Sequence, residues 1–361
     1  MRICFLIADL SAQGGTERVT SIIANGLLSR KYEVDIISCR NEPKCFFSLN
    51  KEIRVYSLRA EKVKGKFRRR YASIKKIWKL VCDRKYDVII AVDVYLYLYL
   101  FPVQIMKKSK CIAWEHFNCN ISSMKSSGLA RALAVIFADQ VVVLGKQDLN
   151  NYIRKFKKSN NITYIYNPVA FEKTTNISID KHRIIAVGRL TEQKGFDLLI
   201  EAWNIIEKED KDSDWILDIY GKGKLEEQLI NQIDQHDLKR VHLKGYADNI
   251  CAEYLNSSIF VLSSRYEGFV LVLIEALACG LPCVSFNCPE GPSETIEDEV
   301  NGFLVENGNV YQLAEKLMQL MHNEELRKEF SSNAHNNLQR FDIQDVLNSW
   351  ERLLNIELKH M

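Results

Sequence analysis

No C-x-x-C pair occurs among the ten cysteines of this 361-residue chain, which argues against a disulfide framework and against a structural zinc site. Cys4, Cys39, Cys283 and Cys288 sit in or beside apolar runs and read as small core residues in a reducing compartment. Cys279 and Cys283 flank Gly-Leu-Pro, a poor spacing for metal ligands. Long apolar runs are missing too: DVYLYLYLFPVQIM is broken by Pro102 and falls short of the about 20 residues needed to cross a bilayer. The opening MRICFLIADLS has neither the basic leader nor the small-residue cleavage site of a signal peptide. These absences predict a cytoplasmic protein, at most peripheral on the inner face of the cytoplasmic membrane. The dinucleotide fingerprint G-x-G-x-x-G is also absent, which argues against a nicotinamide or flavin enzyme. No resident metal or cofactor is expected.

What is present suits a folded chain of two domains. Hydrophobic residues make up 47% and charged residues 26%, and the length allows about 150 to 180 residues per domain. Charge is unevenly spread: residues 1–170 hold 30 Lys and Arg against 13 Asp and Glu, and the remainder 19 against 33. The first half therefore suits an anionic partner, whether membrane surface, phosphate or nucleic acid, unless the two halves are solvated faces of unequal composition. Residues 62–85, KVKGKFRRRYASIKKIWKLVCDRK, set Lys and Arg around Phe67, Tyr71, Ile74, Ile77, Trp78 and Val81. That pattern predicts a basic amphipathic helix on an anionic membrane surface. No nucleic-acid motif accompanies it, so a nucleic-acid partner is not expected.

Short β-branched runs alternate with longer amphipathic stretches: ICFLIAD, ERVTSIIANGLL, EVDIISC, then YDVIIAV, CIAWEH and QVVVLG. This is the rhythm of βαβ units in a parallel sheet. It weakens over a polar segment around Pro168 and restarts with RIIAVGRL, WILDIYG, VHLKG, SIFVLSS and PCVSF. The expectation is an α/β chain with one Rossmann-like domain over 1–170 and a second over 171–340. Residues 341–361 carry helical spacing at Ile343, Val346, Leu347, Trp350, Leu353 and Leu354, which predicts a helix that caps the molecule or crosses back to the first domain.

Two places look chemical. ICFLIAD runs into SAQGGTE and a helix, so Gly14 and Gly15 lie where strand ends meet helix starts and anions are favoured. A tight turn explains the glycines equally well. In SRYEGFVLVLIEALACG, Glu267 falls in a turn after a strand and Glu275 two turns into a helix stopped by Gly280. Apolar neighbours surround Glu275, so it should be buried and in need of partners. The pair could hold two ends of one extended polar ligand.

EGFVLVLIEALACGLP resembles the E-x7-E signature of retaining family-4 glycosyltransferases. Further elements match in order: Gly14-Gly15, Glu115-His116, GRLTEQKG at 188–195, and YGKGKLEEQL at 220–229. The resemblance implies the GT-B fold, two Rossmann-like domains facing across a cleft, with the acceptor on the first and a nucleotide sugar on the second. It implies that Arg189 and Lys194, beside Gly188, hold the donor diphosphate. Glu275 would accept the ribose hydroxyls, Glu267 the donor sugar hydroxyls, and the amides of Gly268, Phe269, Val270 and Leu271 would approach sugar and phosphate. His116 would reach the sugar near the reacting carbon, which makes His116, Glu267, Arg189 and Lys194 the candidate catalytic set. Tyr246 would line the nucleobase pocket or simply pack its loop. Gly14, Gly15 and Thr16 would meet the acceptor, with Gly15 also near the donor.

The activity so implied is retaining, metal-independent transfer of a hexose or N-acetylhexosamine from a UDP-sugar. NCPEGPSETI at 287–296 resembles bacterial enzymes of capsule, lipopolysaccharide or lipid-linked oligosaccharide synthesis, so the acceptor would be a glycan, often on a lipid diphosphate. A metal-dependent transferase would want D-x-D after a strand, whereas Asp212-Ser213-Asp214 precedes one in a charged loop. Two other classes share the features: a sugar-nucleotide epimerase of the same architecture, and a non-catalytic basic scaffold for anions or membranes. Val270 stands where the family commonly has Pro, a residue that suits a first helical turn without being required there.

Overall fold

The runs rich in Val and Ile become strands because β-branched side chains pack well on a pleated surface covered from both sides. In the computed structural model, which describes residues 1–40, 45–106, 109–121, 127–158, 160–171, 173–174, 177 and 179–359, the chain divides into two compact units. The first is Met1–Pro168 with Asp342–Met361, and the second is Val169–Phe341.

The first unit is built on a parallel sheet of seven strands. These are β1 (Arg2–Ile7), β2 (Glu33–Ser38), β3 (Arg54–Ser57), β4 (Val88–Val92), β5 (Lys110–Trp114), β6 (Gln140–Val143) and β7 (Ile162–Tyr164). Their spatial order is β3-β2-β1-β4-β5-β6-β7, so the sheet grows outward from β1 in both directions. Ligands of such sheets bind at the carboxyl edge, next to the point where the order reverses. Every residue of β4 is buried, as befits a strand with helices on both faces. The edge strand β3 buries none of its four residues fully.

The closing helix Ile343–Lys359 belongs to this unit, where it packs on the helix Gly15–Ser29. Gly26 makes the approach possible, since a Cβ there would stand 2.6 Å from Leu347. Trp350 is fully buried with its ring 4.9 Å from that of Trp114. Each such side chain contributes about 2 to 3 kcal/mol by leaving water. Arg30 ties the two helices at their rim through Glu351 and Asn348.

The second unit repeats the plan with six parallel strands: β8 (Arg183–Val187), β9 (Ile216–Tyr220), β10 (Val241–Gly245), β11 (Ile259–Leu262), β12 (Cys283–Phe286) and β13 (Gly302–Val305). The order is β10-β9-β8-β11-β12-β13. Its core gathers Trp203, Trp215, Ile219, Phe286 and Phe330 between the sheet and its helices. The ten cysteines are all free, and seven are buried. Among the described residues no helix is long and apolar enough to cross a membrane.

Candidate functional site

In the second unit three glycines bring strand ends close enough to build a site. Gly221 adopts φ +145, and a Cβ there would lie 1.8 Å from the Gly188 carbonyl oxygen. Gly195 adopts φ +61, with its missing Cβ 2.1 Å from the Ser263 carbonyl oxygen. Only glycine allows both that backbone conformation and that approach. The carboxyl ends of β8, β9 and β11 are thereby drawn together. Gly188 adds a third accommodation, since the stem of Lys194 packs within 3.2 Å of where its Cβ would be.

That stem delivers the Lys194 ammonium to Glu267, with Nζ 2.6 Å from Oε1. Glu267 is only 4% exposed, so this turn residue is not solvated. A buried carboxylate needs a cation and hydrogen bonds, and it has them. Ser264 Oγ donates to Oε1 at 2.5 Å, and Gln193 Nε2 donates to Oε2 at 3.4 Å. Arg265 braces the same loop by pairing with Asp197 at 2.6 Å. Arg189 is exposed just beyond β8, and among the described residues no ion pair engages it. Tyr246 is 46% exposed after β10, a position compatible with either of its expected roles.

Glu267 leads through Gly268 and Phe269 into the helix Leu271–Ala278. Val270 caps this helix and supplies no side-chain hydrogen bond to its first turn, which leaves an N-terminus suited to negative charge. Val270 is buried against Gly291, whose φ is +124 and whose Cβ would fall 2.6 Å from Val270 Cγ2. The helix entry is thus fixed by packing where the family commonly uses proline. Glu275 is 2% exposed, and Gly280 ends the segment at φ +79.

Sequence reasoning passed over Glu290, which is 3% exposed with φ 65. The strain of a non-glycine residue in that region persists only where surroundings enforce it. The thiol of Cys288 is pushed up to about 12 by burial and by the charge of Glu267, with Lys194 acting the other way and Glu290 adding to the rise. The Glu267 amide also donates to the Pro289 carbonyl at 3.4 Å, so the loop of Cys288 and Glu290 adjoins the Lys194–Glu267 pair. The signal available for it was the string PEGP, where a proline and a glycine bracket the acid.

In the first unit the candidate residues gather at the carboxyl edge of the sheet. Gly14 caps the helix Gly15–Ser29 in extended conformation, and the Thr16 carbonyl accepts from Thr20 Oγ at 2.7 Å within the first turn. Glu115, after β5, is a support: it is fully buried and accepts from Arg131 Nε at 2.7 Å, Tyr152 OH at 2.6 Å and the Phe117 amide at 3.0 Å. His116 is thereby aimed, with its ring 4.4 Å from that of Trp114. Its Nε2 is buried without a hydrogen-bond partner among the described residues. Burial lowers its pKa to about 3, so the imidazole is neutral at physiological pH.

Asp93 was also not foreseen. It follows β4 at φ 80, and its Oδ1 accepts from the Tyr95 amide at 3.0 Å. Burial and then the neighbouring charge of Glu115 push its carboxyl to about 7, against a smaller opposing effect of Arg131. Stability from the neutral carboxyl is full below its ordinary value of 3.8 and is lost as pH rises through about 7. Asp93→Asn, which stays neutral and tolerates positive φ, should raise the melting temperature at pH 8 but barely at pH 4. An equal offset at both pH values, read from melts across that range, would contradict this.

Comparison with known proteins places the chain in a family. Residues 170–337 match the family described as Glycosyl transferases group 1, and residues 13–173 match Glycosyltransferase Family 4. A Haemophilus influenzae protein described as an uncharacterized glycosyltransferase is 33% identical, over 98% of this chain and 99% of its own. A Campylobacter jejuni alpha-1,4-N-acetyl-D-galactosaminyltransferase, named for a GalNAc-containing PP-undecaprenol substrate, is 28% identical over 98% of each chain. A crystal structure of S. aureus TarM with UDP superposes with a TM-score of 0.85 at 18% identity, over 98% of this chain and 99% of that one. Two Rossmann-like units, family matches over both of them and full-length similarity lead to one conclusion: the chain belongs to the family-4 glycosyltransferases and has the GT-B fold.

Proposed function

We propose that this glycosyltransferase moves a hexose or N-acetylhexosamine from a UDP-sugar to a lipid-linked glycan in bacterial surface polysaccharide synthesis, with retention of configuration and without a metal. The observation that carries the reading is the half-buried Lys194 paired with the buried Glu267 directly ahead of an uncapped helix that buries Glu275. Lys194 and the exposed Arg189 neutralise the donor diphosphate together with the helix N–H groups. Glu275 accepts from the ribose hydroxyls, Glu267 from the sugar hydroxyls, and Tyr246 lies against the base. Positive charge already fixed at the diphosphate makes a metal unnecessary.

In transfer, the bond from the anomeric carbon to the diphosphate oxygen breaks and a bond to the acceptor oxygen forms on the same face. The departing diphosphate takes the acceptor's proton, so no protein nucleophile is required. His116 keeps its catalytic assignment from the family resemblance: a neutral imidazole offers one donor and one acceptor without adding charge. Gly14, Gly15 and Thr16 begin the acceptor site. The substrates named for the Campylobacter jejuni relative support an N-acetylhexosamine and a polyprenyl diphosphate acceptor.

The test is turnover of UDP-Gal, UDP-GalNAc, UDP-Glc, UDP-GlcNAc and GDP-Man in EDTA, with product configuration read by NMR. One UDP-sugar should be consumed, with its anomeric configuration kept. Loss of turnover in EDTA would overturn metal independence, and an inverted product would overturn retention.

A further inference from the structure

The helix Lys66–Arg84 buries Ser73, Ile77 and Val81 against the first unit. Its opposite side is a ridge of residues four apart, which lie one above another on a helix. Phe67 is 88% and Tyr71 72% exposed, and Lys75 and Lys79 continue the line, also exposed. Nothing in the core accounts for two aromatic side chains on that side. Residues 62–82 hold nine Lys and Arg and no acid. Some are committed to the fold: Arg70 donates to the Leu98 carbonyl and Lys76 to the Leu58 carbonyl. Arg68, Lys75 and Lys79 are exposed, and no ion pair holds them among the described residues.

Orientation follows from the same contacts. Arg84, at the helix's end, pairs with Asp35 near the start of β2. Lys76 reaches Leu58 just past the end of β3, so the half bearing Phe67 and Tyr71 lies toward the carboxyl edge of the sheet. That is the edge at which the Gly14–Gly15 turn opens the helix Gly15–Ser29.

We propose that Phe67 and Tyr71 insert into an anionic phospholipid surface while Arg68, Lys75 and Lys79 bind its headgroups, holding this edge of the first unit at the bilayer. Aromatic side chains favour the interfacial layer and each cation near an anionic surface adds attraction. The cation density and the absence of acids select a negatively charged lipid surface over an apolar protein partner. The purpose of this docking rests on the reading of a lipid-linked acceptor; the docking itself does not.

The full chain is sedimented with vesicles of phosphatidylcholine alone or mixed with phosphatidylglycerol. Wild type should bind the mixed vesicles, and less so at high salt. Phe67→Ser with Tyr71→Ser, and separately Lys75→Gln with Lys79→Gln, should each lower partitioning about tenfold. Donor turnover should stay unchanged, since these exposed residues are outside the donor site. Equal binding to both vesicle types would overturn the proposal, as would full binding by the aromatic variant or a ridge that supports self-association in place of lipid binding. Vesicle binding is read without donor or acceptor, so its failure leaves the transferase reading standing. Failure of donor turnover likewise leaves the docking result intact.

Discussion

Lys194→Ala is expected to lower kcat/KM for the donor by about 10² to 10³, the usual effect of removing one fixed group that meets charge developing in the transition state. It should also destabilise the second unit. Glu267, 4% exposed beside Lys194, would lose that cation and keep the hydrogen bonds from Ser264 and Gln193. Stranding one member of a buried pair costs about 3 to 5 kcal/mol. The two effects separate in the variant Lys194→Ala with Glu267→Gln, which removes the stranded charge. Denaturant midpoints should recover most of the loss, while activity stays at or below that of Lys194→Ala. Recovery of both together would make Lys194 structural only.

Glu275→Ala should act mainly on the nucleotide. The residue is buried inside the helix Leu271–Ala278, where alanine is the best helix former, but the four heavy atoms lost leave a cavity. A moderate loss of stability is therefore expected beside the loss of binding. Nucleotide affinity should fall about 10- to 100-fold, because a charged acceptor for two ribose hydroxyls is worth about 1.5 to 3 kcal/mol. Glu267→Ala differs again: it frees Lys194 for the diphosphate, so UDP binding should persist while the added affinity for the sugar is lost.

Much of this was legible in the sequence because its signals are local. The β-branched runs of β1, β4, β8 and β11 could be read as strands, being buried on both faces and thus apolar after the leading Arg2 of β1 and Arg183 of β8. RVYS, ITY and GFLV became β3, β7 and β13 without being singled out. They are short strands of three or four residues, and two of them close the edges of the first sheet, where packing imposes little pattern. The acids Glu267 and Glu275 stood out as charges in apolar surroundings. Asp93 and Glu290 did not, because their distinction is a left-handed or strained backbone set by neighbours far along the chain. Likewise, the string EH marks His116, but only tertiary contact with Arg131 and Tyr152 reveals that Glu115 is its support. The exposure of Phe67 and Tyr71 could not be told from core packing by periodicity alone.

The central claim is that Glu267 and Glu275 bracket one nucleotide sugar, and calorimetric titration of UDP and of the active UDP-sugar into wild type, Glu275→Ala and Glu267→Ala tests it most directly. The account predicts that Glu275→Ala weakens both ligands alike, and that Glu267→Ala erases the difference between them while sparing UDP. Wild-type affinity for both ligands in both folded variants would contradict it, and the acidic pair would then serve the fold alone.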